Sequence, residues 1–492
     1  GPRRTPVDGR TGGAGGDCIQ SSGGGTARLT DPVIDSSLLS RLKAALPADS
    51  LVAGEGLAGR TEDWMHLQPM RSTLLLRPAN TGEVSAALAL CHAAGQPVIT
   101  HGGLTGLVHG ADTTPADVVL SLERMREIES IDPVQRVAVV EAGVTLQRLQ
   151  EAADEQGLAF PLDLGARGSA TLGGNASTNA GGNRVLRFGM TREMVLGLEV
   201  VLADGTVIPA MNRLIKNNSG YDLKQMFIGS EGTLGVITRL VLRLREKPVR
   251  QDVAFAAVPG FDALAALLKH MDRSLGGGLS AFEVMWPEFY ELVTTPPAKG
   301  RAPVPHGSPF YALIESMGGG STGDAERFQS AFEKAVEDGL VADAVVAKSQ
   351  AEVAAIWALR DDVMQTARWG LPFAFDVSLP IADMPAYVER VKTKLRESWP
   401  KVRAFVFGHM GDGNLHLVIS PDGLPADARP AIEHIVYAPL RQLGGAISAE
   451  HGIGLEKKSW LPISRSPAEI DLMRALKQAL DPKGILNPGR VV

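Results

Sequence analysis

"LGARGSATLGGNASTNAGGNRVLRFG", residues 164–189, holds seven glycines, two of the pairs adjacent, among Asn, Ser and Thr. The stretch is too glycine-rich for a helix interior and too polar for a buried strand. Freed of Cβ atoms, such a backbone can turn its N–H groups together onto an anion. Two further stretches share the character: "HGGLTGLVHGA" (His101–Ala111) and "IGSEGTLGVIT" (Ile228–Thr238). One such loop would read as a tight turn, but three of them favour a bound phosphate ligand. None opens a helix after a strand as G-x-G-x-x-G, and no G-x-x-x-x-G-K-[ST] occurs, so neither a Rossmann nucleotide fold nor a P-loop is supported.

Outward from these loops the pattern is mixed helix and strand. "NTGEVSAALALCHAAG" predicts a helix with Thr81 as cap and Gly95 past its end. "PVIT" and "RVAVVEAG" predict strands, "VTLQRLQEAADEQG" a helix closing on Gly157, and Asp204-Gly205 a hairpin turn. After Pro248 the rhythm changes to "VAFAAV", "DALAALLKHM", "SAFEVM", "FYALIES" and "DAERFQSAFEKAVEDG", which predicts a second α+β region with a sheet covered by helices. The end, "SPAEIDLMRALKQALDPKGILNPGRVV", predicts one helix and a Pro- and Gly-punctuated tail.

With 492 residues the chain needs more than one core. Forty-nine basic against 55 acidic residues, net −6 and without a basic block, argue against a nucleic-acid partner. Two cysteines, Cys18 and Cys91, allow no disulfide framework and point to a reducing compartment: cytoplasm, or mitochondrial matrix in a eukaryote. No apolar run is long enough to span a membrane. Residues 1–30 read as a leader outside the fold.

"FGHMGDGNLHLVIS", residues 407–420, sets two histidines around Asp412-Gly413. A two-residue type I′ turn there puts His409 opposite His416 on one face, where two imidazoles can hold one metal ion. Ordinary hydrogen-bonded histidines are the alternative.

The loops, in their order, resemble the FAD-binding domain of the p-cresol-methylhydroxylase/vanillyl-alcohol-oxidase flavoproteins. "PLDLGARGSATLGGNASTNAGG", "LGLEVVLADGT", "GYDLKQMFIGSEGTLGVIT", "GHMGDGNLH", "ISAEHGIG" and "DPKGILNPG" are similar to the D-2-hydroxyacid dehydrogenase branch. The resemblance implies an α+β architecture: a two-part FAD-binding domain over 31–247, a substrate (cap) domain over 248–445, and a segment 446–492 returning to the first. It implies that Gly102, Gly103, Leu104, Thr105, Gly106 and Leu107 wrap the FAD pyrophosphate. Pro161, Asp163, Gly165, Ser169, Gly173, Gly174, Asn175, Thr178, Asn179 and Gly182 would follow the cofactor toward its ring. Glu231, Gly232, Gly235 and Ile237 would close over the adenosine half, with Asn487 returning to the flavin side. No covalent attachment motif matches, so the FAD is expected to be non-covalent.

By the same resemblance His409, His416 and Glu450 bind a divalent metal, with zinc expected; the donors also suit manganese, cobalt or iron. His451 follows Glu450, projects to the other side of an extended segment, and is the expected catalytic base, also touching substrate. Arg360 falls on the apolar stripe Val353, Trp357, Arg360, Met364, where a cation needs a partner. The resemblance makes that partner a substrate carboxylate. Hydroxyglutarate-type members carry Thr, Lys and Asn at three positions that are here Met364, Ala374 and Val418. Three apolar substrate-binding positions imply a D-2-hydroxy acid with an apolar side chain, of the D-lactate kind. D-2-hydroxyglutarate is the alternative substrate, and an oxygen-using FAD oxidase of an alcohol or sugar the alternative activity. A separate acceptor (electron-transfer flavoprotein, quinone or cytochrome) and a homodimer complete the expectations.

Overall fold

The computed structural model of the chain describes residues 34–320 and 322–492; the leader and Cys18 lie outside the described residues. Apolar, β-branched runs between the glycine loops build two sheets. The first orders its strands Leu51–Ala53, Leu74–Leu76, Val118–Ser121 and Val98–His101. The second, antiparallel throughout, orders Ile128–Asp132, Val137–Glu141, Val236–Arg243, Val195–Val201 and Val207–Ala210. One apolar core joins them, running from Leu74 and Val118 through Leu88 to Leu198 and Leu240. Each fully buried Leu or Val in it contributes roughly 1.5–3 kcal/mol. The first glycine loop leaves the strand Val98–His101 and the third runs into the strand Val236–Arg243, so the sheets fix where these loops begin and end.

The helix Thr81–Ala94 starts one residue earlier than its sequence suggests. Asn80 is the cap, its side chain accepting the Glu83 N–H at 3.0 Å. Thr81 donates instead to Glu199 at 2.6 Å, a partner 118 residues away that local capping rules cannot see. Gly95 ends the helix with φ +67°, as expected of glycine at that position.

Residues beyond 248 form a seven-stranded antiparallel sheet, ordered Asp343–Val346, Arg250–Val258, Phe310–Gly318, Leu279–Met285, Ala404–His409, Asn414–Ile419 and Phe373–Ser378. Alternation along each strand separates two buried faces. Helices Phe261–Leu275, Thr322–Glu337, Met384–Ser398 and Arg429–Tyr437 cover one of them. Pro287–Thr294 and Gln350–Asp361 cover the other, where Phe289 stacks on Phe407 at 4.1 Å. The second face carries the polar cluster described below.

The helix Pro467–Leu480 opens with a Ser466/Glu469 capping box. Beyond it Val98 N–H donates to the Ile485 carbonyl at 2.8 Å and Asn487 N–H to the Val98 carbonyl at 2.9 Å. The tail is thereby pinned beside the strand that feeds the first glycine loop. Among the described residues no helix is long and apolar enough to cross a membrane.

Candidate active site

The first two glycine loops touch through their backbones. A Cβ on Gly103 would lie 2.0 Å from the Ser169 carbonyl oxygen, and one on Gly102 2.8 Å from Thr171 Oγ1. Gly173 packs on Ala142 and Gly182 on the Asp163 carbonyl in the same way, while Gly106 and Gly165 face open space. Leu104 and His109 on the first loop, Asn179 on the second, Glu231 on the third and Asn487 in the tail hold left-handed backbone, with φ between +41° and +58°. Such strain, of order 1–3 kcal/mol each, persists where surroundings enforce it and gathers at ligand clamps. Asn487 ties the third loop to the first, accepting the Thr100 N–H at 2.8 Å and donating to the Glu231 carbonyl at 2.7 Å. Asn175 is buried, and its Nδ2 has no partner among the described residues. An orphaned donor in a strained, Cβ-free cradle fits a phosphate-bearing flavin cofactor.

Thr105, Leu107, Pro161, Ser169, Gly174 and Thr178 lie along the same loops, and Gly232 abuts Asn487. Four of the expected residues also make contacts within the protein. Gly235 makes room for Val200 and Phe227, and the Ile237 side chain belongs to the apolar core. The Asp163 carboxylate pairs with Arg184 at 2.9 Å, and that of Glu231 accepts the Ile453 and Gly454 N–H groups, each at 2.7 Å. The Ile237, Asp163 and Glu231 side chains thus have partners within the protein.

Asp412-Gly413 does turn a hairpin, but with a different register. Met410–Asp412 forms a 3₁₀ turn and Gly413 alone has positive φ, so His409 opposes Asn414 while His416 opposes Phe407. Met410, wholly buried in the core beneath, draws extra residues into the loop. The histidines are therefore diagonal neighbours rather than opposed ones. Diagonal positions still share a face, and the two rings meet at 5.2 Å between centroids. One donor atom from each of His409, His416 and Glu450 lies within 4.8 Å of the others.

Behind this set stands Glu283, 1% exposed and opposite His409 in the adjacent strand. His409 Nδ1 donates to its Oε1 at 2.8 Å, which turns Nε2 toward Glu450, 3.8 Å away. A carboxylate behind a ligating imidazole is the usual support of a metal site, and two imidazoles with one carboxylate fit a divalent cation. Burial works against a charged His409, yet Glu283 and Glu450 outweigh it and hold its pKa up at about 9. Burial, reinforced by the charge of His409, pushes His416 well below the ordinary histidine value.

Glu450 and His451 sit on a loop, Ser448–Gly454, held from both halves of the molecule. Asp376, fully buried, accepts the N–H groups of Ala449, Glu450 and His451 at 3.0, 2.7 and 3.0 Å. Glu231 grips the other end through Ile453 and Gly454. The buried Lys457 donates to Ser448 Oγ at 3.0 Å. Although burial would raise it, the Asp376 pKa lies far below the carboxylate range, held there by His451, Lys457, His416 and these N–H groups. His451 leans to the Asp376 side, 3.9 Å from its Oδ2, and stacks on His416 at 6.2 Å.

Arg360 is 5% exposed on the Gln350–Asp361 helix, with Val353 and Trp357 on the same buried stripe. Its Nε donates to Glu283 Oε2 at 2.7 Å and its Nη2 lies 3.3 Å from His409 Nε2. Met364 does not continue that stripe. The helix ends at Asp361, and Met364 lies on the 3₁₀ segment Val363–Trp369, 51% exposed. Ala374 and Val418 are directly paired, and Val418 pairs on with Phe405. They form an apolar row on the same face, one step along from Asp376, His416 and Phe407.

Glu283, Asp376 and Lys457 escaped the sequence reading as site residues. The available signal was a lone acid inside an apolar strand, "SAFEVM" and "FAFDVS", which demands a buried partner.

Residues 72–210 match the family model described as "FAD binding domain", and residues 247–491 the one described as "FAD linked oxidases, C-terminal domain". The mitochondrial D-2-hydroxyglutarate dehydrogenase of Bos taurus is 40% identical over 94% of this chain and 85% of its own length. A D-2-hydroxyglutarate dehydrogenase of Xanthomonas citri pv. viticola is 39% identical over 94% of this chain and 97% of its own. The crystal structure of p-cresol methylhydroxylase with substrate bound superposes with a TM-score of 0.75 at 16% identity, covering 92% of this chain and 96% of that one. The chain thus belongs to the FAD-linked oxidases, in their branch of FAD-dependent D-2-hydroxy acid dehydrogenases.

Proposed function

We propose that the chain oxidises a D-2-hydroxy acid with an apolar side chain to the 2-oxo acid, with non-covalent FAD and a divalent cation, zinc by its donor set. His409, His416 and Glu450 would hold the cation, which would supply Lewis acidity toward a substrate hydroxyl. A bound flavin would supply the hydride acceptor, and a separate acceptor (an electron-transfer flavoprotein, a quinone or a cytochrome) would be needed for its electrons. Arg360, fixed through Nε by Glu283, keeps further N–H groups for an α-carboxylate. His451, on its clamped loop beside His416, takes the hydroxyl proton.

The preference for an apolar side chain rests on one observation. The row next to His416 on the site face is Ala374, Val418 and Phe405; by the sequence resemblance, hydroxyglutarate-type members are expected to carry Lys and Asn at the first two. A second carboxylate against that row would be desolvated without a partner there. The relatives' names favour D-2-hydroxyglutarate as the second reading. Comparing kcat/KM across D-lactate, longer aliphatic and aryl D-2-hydroxy acids, D-malate and D-2-hydroxyglutarate separates the two. Dicarboxylates ahead by tenfold, about 1.4 kcal/mol of transition-state preference, would refute the apolar reading.

A further inference from the structure

Gly181 and Gly182 close the second glycine loop, yet both face the other half of the site. Gly182 N–H donates to Glu450 Oε1 at 2.8 Å. A Cβ on Gly181 would lie 2.8 Å from that same oxygen, which is also the one 3.8 Å from His409 Nε2. Its other neighbours would be the ends of Val185 and Met190, at 3.2 and 3.4 Å, which can yield by tenths of an ångström. Gly181 lies outside the left-handed region, so no turn explains its missing side chain. What the missing side chain admits is the Glu450 carboxylate. His409 and His416 are aimed by paired strands; Glu450 sits on a loop, where Asp376 fixes its backbone but not the direction of its side chain.

We propose that the Gly181–Gly182 step positions the metal ligand Glu450, the first glycine by leaving room for the carboxylate and the second by orienting it through its N–H. The proposal rests on the metal reading above. It makes one contact common to the flavin cradle and the metal set, so a small substitution can separate the two. With alanine at 181 the cheapest relief is to swing the Glu450 side chain aside, out of reach of His409 and His416.

The test uses full-length, FAD-loaded protein stripped of metal and titrated with zinc against a chromophoric chelator. FAD per chain and the thermal midpoint are followed in parallel. Gly181→Ala is expected to keep both while weakening zinc binding roughly 10- to 100-fold, the usual effect of losing a ligand's support. Glu450→Asp, which leaves the cradle untouched, should weaken zinc by a similar factor, because the shorter carboxylate no longer reaches the Gly182 N–H. Combined, the two should lose less than the sum of their separate effects, since Asp clears the added methyl. Parent-like zinc affinity in either single variant overturns the proposal. So does flavin lost in proportion to zinc by Gly181→Ala, or strict additivity. A parent that binds zinc no better than Glu450→Gln refutes the metal reading itself, and the proposal with it.

Discussion

The flavin cradle is made largely of main chain: glycines at 103, 173 and 182 where loops touch and left-handed backbone at Leu104, Asn179 and Asn487, with a buried Asn175 Nδ2 that has no partner among the described residues. The cluster at the end of the seven-stranded sheet is made of side chains, with Glu283, Arg360, Asp376, His409 and His416 brought together from separate elements. The two also differ in what holds them. The cradle depends on close approach, which any Cβ disrupts, whereas the cluster depends on charge pairing, with every buried carboxylate facing a cation or N–H groups. They should therefore fail separately. The Ser448–Gly454 loop, gripped by Glu231 from one side and Asp376 from the other and touched by Gly182 through Glu450, joins the two.

The largest effect is expected at the ligand set. His409→Ala or His416→Ala should abolish turnover while the protein stays yellow, because neither residue lies on a glycine loop; full activity without divalent metal would break the distinction. The converse cut is Gly103→Ala. Its Cβ would meet the Ser169 backbone at 2.0 Å, which cannot yield as a side chain would, so FAD should be lost and zinc retained. Next is His451→Ala, expected to slow anaerobic flavin reduction by roughly 10²–10⁴-fold, the range for a lost general base. Asp376→Asn exchanges the acceptor of three loop N–H groups for an amide. It should lower kcat by about 10²-fold through misplacement of Glu450 and His451, with FAD content unchanged. An unaltered kcat would mean that Glu231 alone holds the loop.

The smallest effect lies away from the site. Hydrogen bonds from Arg60, assisted by its charge and by Arg77, hold the Glu123 pKa down to about 2 against partial burial. A depressed folded-state pKa adds stability that is present above the ordinary value of 4.5 and lost as pH falls toward about 2. Glu123→Gln should therefore lower the thermal midpoint at neutral pH and match the parent near the acid end. The pair is partly exposed, so the loss should be about 1 kcal/mol or less.

This contrast also explains what the sequence made legible. Glycine loops announce themselves because the requirement for no Cβ is local, and the run of strands and helices follows from period and capping alone. The hairpin was visible at Asp412-Gly413, but its register depended on Met410 being drawn into a core that no local pattern describes. Met364 was placed one turn too far along a helix that ends at Asp361. Glu283 faces His409 only because strands 126 residues apart in sequence become neighbours, and Asp376 meets the Ser448–Gly454 loop by the same kind of distant pairing. Side-chain clusters built by long-range register are the part that composition and spacing do not reveal.

On the proposed function, flavin cradle and metal set act on one substrate molecule. Anaerobic mixing of D-lactate with FAD-loaded protein, first stripped by a chelator and then resupplied with stoichiometric zinc, tests it most directly. The flavin absorbance should stay oxidised in the stripped protein and bleach once zinc is restored. Bleaching at the same rate in both samples would contradict it.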